Sequence, residues 1–71
     1  MSTIDQRIVS RGCEFCGKEF TEFVYDCKTI HGPWANLCTQ CWLNLGTGLG
    51  VGLGQKYSIK TLQKVGGRYE I

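Results

Sequence analysis

Residues 13–41 read CEFCGKEFTEFVYDCKTIHGPWANLCTQC, and this stretch decides the fold. It opens on Cys13-Glu14-Phe15-Cys16 and closes on Cys38-Thr39-Gln40-Cys41, with 21 residues between the two pairs. Two residues between cysteines let both sulfurs of a pair reach one ion from a single turn. Two such pairs supply the four thiolates of a closed tetrahedral zinc site. The gap is one residue over the usual window, and one more residue in a connecting loop costs little closure entropy. Soft sulfur donors select zinc or an iron centre over hard cations. The competing readings are a rubredoxin-like iron or iron–sulfur site, a redox dithiol, and four ordinary buried cysteines. A redox pair normally sits on a βαβ unit, for which this chain is too short, and two pairs at ligand spacing argue against ordinary burial. Cys13, Cys16, Cys38 and Cys41 are therefore expected to hold one structural Zn2+.

Working outward, Gly17 follows the first pair and can take the positive φ that aims backbone amides at thiolates. Phe20 to Lys28 is rich in β-formers, and His31-Gly32-Pro33 then breaks the chain. The pattern predicts antiparallel strands over about 20–28 and 33–37, joined by a turn at 29–32. Leu37, Cys41 and Leu45 recur at four-residue spacing, which predicts two helical turns from Cys38 to Leu45, ended by Gly46. This order of knuckle, hairpin and short helix resembles a treble-clef zinc finger over residues 13–45. The resemblance implies that Cys38 and Cys41 come from the first turn of the helix.

A 71-residue chain is enough for one domain, and its core alone is marginal. Five cysteines, an odd count, argue against a closed disulfide framework. Residues 1–12 carry Asp5, Arg7 and Arg11 and no apolar run, so no secretory signal is expected. No stretch approaches the ~18 apolar residues that span a bilayer. The expected setting is a reducing cytoplasm, with no membrane partner. Three regions are expected: an N-terminal arm at 1–12, with a weak strand at Gln6 to Val9, a four-cysteine zinc finger at 13–45, and a glycine-rich segment with a C-terminal hairpin at 46–71 packed on the same domain.

Gly46, Gly48, Gly50, Gly52 and Gly54 alternate with Thr47, Leu49, Val51 and Leu53. A flexible linker would place Ser or Thr between glycines rather than Leu and Val. Either the apolar side chains point into the core and the glycine side lies flat against another backbone, or bare amides approach a phosphate. The segment completes neither a dinucleotide fingerprint nor a P-loop. Beyond it, Ser58, Ile59, Leu62 and Val65 fit a short helix, but the β-branched and aromatic residues favour a hairpin, with Gly66-Gly67 turning Lys60–Val65 onto Arg68–Ile71.

The formal charge is +2, and four thiolates with one zinc ion bring it to about zero. Its distribution is uneven. Residues 13–41 sum to −2 before metal, and residues 42–71 to +3. Lys56, Lys60, Lys64 and Arg68 recur every four residues, and the spacing predicts the first three on one face. They are either a solvated face or a phosphate-contacting stripe, with Trp34, Tyr57 and Tyr69 as stacking surfaces. The aromatics Phe15, Phe20, Phe23, Trp34 and Trp42 are expected to build the small core, Trp34 being the best candidate for exposure. Cys27 reads as a small buried apolar residue and His31 as an exposed loop residue.

Gly32-Pro33-Trp34-Ala35-Asn36-Leu37-Cys38, then Gly46-Thr47-Gly48-Leu49-Gly50 and Gly52-Leu53-Gly54-Gln55-Lys56-Tyr57, is similar to small zinc-finger proteins of bacteriophages and prophages. The match spans about residues 13–57. The resemblance implies the cytoplasm of a bacterial or phage-infected host cell and supplies no known activity. Catalysis is not expected. A four-thiolate zinc has no open position, the His-x-Glu of the zinc deaminases is missing, and His31 is the one histidine. The expected fold is a small zinc-stabilised α+β, treble-clef-like, monomeric or a small homo-oligomer. The expected function is a non-enzymatic binding module for nucleic acid through Lys56, Lys60, Lys64, Arg68, Trp34 and Tyr57. The alternative is a module that binds or inhibits a bacterial host protein complex.

Overall fold

Phe23, Val24 and Tyr25 begin the strand around which the molecule is organised. The computed structural model describes residues 3–50 and 52–66. Its elements in order are α1 (Gln6–Arg11), β1 (Phe23–Lys28), β2 (Trp34–Leu37), α2 (Thr39–Leu45), β3 (Gly54–Ser58) and β4 (Lys64–Gly66). The strands form one antiparallel sheet in the order β2-β1-β3-β4. The fold is thus a small α+β with a four-stranded antiparallel sheet and a short helix after the first hairpin.

The hairpin of β1 and β2 falls where the β-formers and the Gly-Pro break put it. Thr29 closes it, since its N–H and its Oγ1 both donate to the Pro33 carbonyl, at 3.0 and 2.8 Å. Helix α2 follows with Cys38 as its N-cap residue and Gly46 as its C-cap, the Gly46 N–H donating to the Trp42 carbonyl. Gly46 is also required by packing, because a Cβ there would run into the Trp42 indole. That indole stacks on Tyr25 at 4.6 Å between centroids and 14° between planes, which fixes α2 on one face of the sheet.

Period-two alternation assigns the faces. Tyr25 pairs with Leu37 and Lys56, and Cys27 with Ala35 and Gly54, so these residues share the α2 face. Val24 pairs with Tyr57, Asp26 with Asn36 and Gln55, and Lys28 with Trp34, which puts them on the opposite face. The core holds Leu37, Val24 and Cys27, all at 0% exposure, with Ile4, Phe20, Tyr25, Tyr57, Cys13 and Cys41 around them.

Two expectations are corrected. Gln6 to Val9 is not a weak strand. Helix α1 forms there, capped by Asp5, whose carboxylate accepts the Arg7 N–H at 2.8 Å. Ile8 and Val9 pack against the core, and the Ile4 N–H donates to the Leu62 carbonyl at 2.8 Å. The apolar pair at four-residue spacing, Ile4 and Ile8, is the helical signal behind the Asp5 cap.

The chain already turns once before Gly66. Lys60–Val65 is not one continuous strand, because 59–61 belong to the turn joining β3 to β4, and strand begins only at Lys64. The Leu62 N–H donates to the Ser58 carbonyl at 2.7 Å, and Leu62 takes a φ of 64°. The first arm starts inside the glycine segment, at Gly54. The expected second arm, Arg68–Ile71, lies outside the described residues, as does Val51.

Candidate metal centre

The knuckle is built by local hydrogen bonds. The Gly17 N–H donates to the Cys13 carbonyl at 2.9 Å, and the Cys13 N–H to the Lys18 carbonyl at 2.8 Å. Gly17 takes the expected positive φ, 80°. Glu14 clamps the knuckle to the edge of β2, its N–H donating to the Asn36 carbonyl at 2.9 Å and its carboxylate accepting the Asn36 N–H at 2.6 Å. Strand β2 then delivers Cys38 next to the knuckle, and α2 adds Cys41 one turn later.

The four Sγ atoms of Cys13, Cys16, Cys38 and Cys41 lie within 4.8 Å of one another. Cys16 and Cys38 are 3.7 Å apart, while a tetrahedron with Zn–S bonds of ~2.3 Å has edges of ~3.8 Å. The five cysteines are free thiols, and a disulfide S–S bond is only about 2.0 Å long. The donor set suits one thiophilic metal ion. Burial pushes the Cys13 thiol up, but amide donors from Cys16, Cys38 and Phe15 outweigh it and bring it down to about 6. Burial and the three neighbouring thiols raise Cys41 instead. Four sulfurs held this close favour a cation among them, since a divalent ion relieves the repulsion between thiolates.

Cys27 stands outside the cluster. It is fully buried on β1, and burial pushes its thiol up to about 11, so it behaves as an apolar side chain. His31 is exposed in the turn. The aromatics divide. Phe20 is buried and Trp42 packs on the core, whereas Trp34 is 47% exposed and Phe15 65% exposed.

The basic stripe does not assemble as the spacing predicts. Lys56 and Lys64 lie on opposite faces, because Lys56 pairs with Gly66 whereas Lys64 pairs with Tyr57, the residue after Lys56. Lys56 is engaged on the α2 face, its Nζ 4.0 Å from the Phe23 ring centroid and 5.7 Å from that of Tyr25. Tyr57 is 7% exposed and its hydroxyl donates to Gln55 at 3.4 Å, so its ring is core and not a stacking surface. Lys60 is exposed in the β3–β4 turn. Arg68 and Tyr69 lie outside the described residues. Trp34 and Lys64 do share a face, together with Lys28, Asn36 and Gln55, which the spacing argument missed. Alternation counted from Trp34 across the hairpin would have found Lys28.

Asp26 sits at the centre of that face, half-buried between Asn36 and Gln55. Burial raises its carboxyl from 3.8, Glu14 raises it further and Lys64 lowers it. A carboxyl whose folded value is raised destabilises the fold while ionised, and this penalty vanishes as pH falls to the unfolded value. Asp26→Asn is therefore expected to raise the thermal midpoint at pH 7.5, with the gap to the parent narrowing as pH falls towards the unfolded value of 3.8. A gap that stays constant over that range contradicts the assignment.

Comparison with known proteins finds no significant match to a protein-family model, a curated protein or a solved structure. Among the described residues no helix is long and apolar enough to cross a membrane.

Proposed function

We propose that this protein is a zinc-stabilised, non-enzymatic binding module of treble-clef type that contacts nucleic acid. The observation that carries the reading is the convergence of four sulfurs, from a knuckle and a helix start, within 4.8 Å of one another. Zinc satisfies that donor set with no position left for water, so its role is structural. Cys13 and Cys16 hold it from the knuckle, Cys38 and Cys41 from the start of α2. A bacterial cytoplasm is the proposed place of action, as the sequence resemblance of residues 13–57 to small phage and prophage zinc-finger proteins implies.

The nucleic-acid reading is supported by the exposed lysines outside the acidic knuckle, Lys28 and Lys60, and by half-exposed Lys64. Native mass spectrometry of the reduced protein should show one zinc per chain. Fluorescence anisotropy with labelled DNA and RNA oligonucleotides should show affinity that falls steeply with salt. Each phosphate neutralised contributes a slope of about −0.7 to −0.9 in log K against log salt. A metal-free protein removes the first half of the proposal. Absence of binding to every probe at low salt, or a flat salt response, removes the second.

Phe15 in the knuckle and Leu43 on α2, each 65% exposed, favour a second reading, a phage-encoded module that binds or inhibits a host protein complex. A pull-down from bacterial lysate with and without nuclease separates the two. Partners retained after nuclease support protein docking, and partners lost support nucleic acid.

A further inference from the structure

The two faces of the sheet are used differently. Helix α2 covers one through the Trp42–Tyr25 stack. On the other, the end formed by Val24 and Tyr57 is buried, near the segment where Ile4 bonds Leu62. Among the described residues, the apolar side chains on the remainder of that face are Trp34 and, just before β3, Leu53, whose carbonyl accepts the Lys28 N–H. Lys28 lies directly across from Trp34, Asn36 and Gln55 flank Asp26, and Lys64 stands at the far margin on β4.

We infer that this half of the sheet is a platform for a single-stranded nucleic acid, with Trp34 stacking on an unpaired base, Lys28 meeting a phosphate beside it and Lys64 another at the β4 margin. The inference rests on the nucleic-acid reading above and names its surface and ligand class. Three features support it. First, two cations flank the polar stretch of this face, with Lys28 beside Trp34 at the end of β1, Lys64 on the far strand β4, and the amides Asn36 and Gln55 with Asp26 between them, while the Glu14 carboxylate at the β2 edge is taken up by the Asn36 N–H. Asn36, Gln55 and Asp26 offer donors and acceptors to base edges, which unpaired bases expose. Second, β2 to β4 spans three strand spacings, about 14 Å, equal to about four stacked nucleotides at ~3.4 Å each. Single-strand platforms of other folds have sites from about four nucleotides upward. Third, a four-stranded sheet is broader than the ~12 Å major groove that admits a two-stranded ribbon, so duplex DNA does not fit this face.

Anisotropy titrations of the zinc-loaded full chain with a fluorescent eight-nucleotide single strand, and with the matching duplex, test the inference. The single strand is expected to bind at least about tenfold more tightly than the duplex. Trp34→Ala is expected to weaken single-strand binding about tenfold, as loss of one base–aromatic stack does elsewhere. Trp34→Phe, which keeps a ring, should recover most of the loss, and Lys64→Ala should reduce the salt slope by about one. Lys56→Ala, on the opposite face, serves as the control and should leave binding unchanged. Equal affinity for duplex, or Trp34→Ala binding like the parent, overturns the platform while the wider nucleic-acid reading stands. Absence of binding to all probes overturns both.

Discussion

Cys41→Ser is expected to abolish cooperative unfolding of this protein, with loss of the near-ultraviolet dichroism of the Tyr25–Trp42 stack. The expectation follows from magnitudes. Among the described residues the core holds nine buried hydrophobic side chains, two of which, Cys13 and Cys41, belong to the sulfur cluster. Small domains hold a net stability of only about 5–15 kcal/mol, while structural zinc contributes roughly 10 kcal/mol or more in zinc-finger peptides. Removing one thiolate from a four-sulfur metal site removes a term as large as the whole. Cys41 is the informative position, because it comes from α2 and is buried, so its loss also uncouples the helix from the knuckle. Chelation of the reduced parent should reproduce the effect, and restored zinc should reverse it. Cys27→Ala is the matched control, since Cys27 lies outside the cluster and this change should leave one zinc bound per chain. A cooperative transition of unchanged midpoint in Cys41→Ser, or in chelated reduced protein, would show that the cluster is not what holds the fold.

The second large effect concerns Gly54. It lies opposite Cys27 in the β1–β3 ladder, and a Cβ on it would collide with the Cys27 Cβ, come 3.0 Å from the Cys27 Cα and 3.1 Å from the Gly48 carbonyl oxygen. Those neighbours are backbone atoms and a fully buried side chain, so they cannot swing away. Gly54→Ala is expected to destabilise by about 3 kcal/mol, the upper part of the usual range for overpacking, read as a lowered denaturation midpoint at unchanged slope. In a double-mutant cycle, Cys27→Gly with Gly54→Ala should recover part of the loss, because the colliding methylene is gone. If Gly54→Ala costs nothing, β3 does not lie against β1 in this register.

The glycine segment is thereby partly explained. Gly54 is required by close approach of two strands, which is the structural reading of the alternation. Gly48, Gly50 and Gly52 take positive φ and form the tight loop before β3, where the Gly50 N–H and Gly54 N–H exchange bonds with each other's carbonyls at 2.8 and 3.0 Å. Leu49 packs against the core and Leu53 is partly exposed, so the apolar residues between the glycines do not act as one inward row.

Local chemistry made the four-sulfur cluster, the β1–β2 hairpin, helix α2 with its Gly46 stop and the inward Cys27 readable from residue order alone. Each depends on neighbours within a few positions: a two-residue ligand spacing, a Gly-Pro break, a four-residue apolar period. Helix α1 was equally local, but its six residues carry only a short apolar signal and the Asp5 cap. Strand pairing is another kind of information. Which face a lysine occupies depends on its partner across the ladder, and a shift of one residue reverses every side chain. That is why Lys56 ended over Phe23, Lys64 beside Tyr57, and Tyr57 inside the core, although their spacing along the chain suggested a single surface. Long-range register, set by the Gly54–Cys27 contact and the turn at 59–63, sorted those residues, and no pattern within one segment contains it.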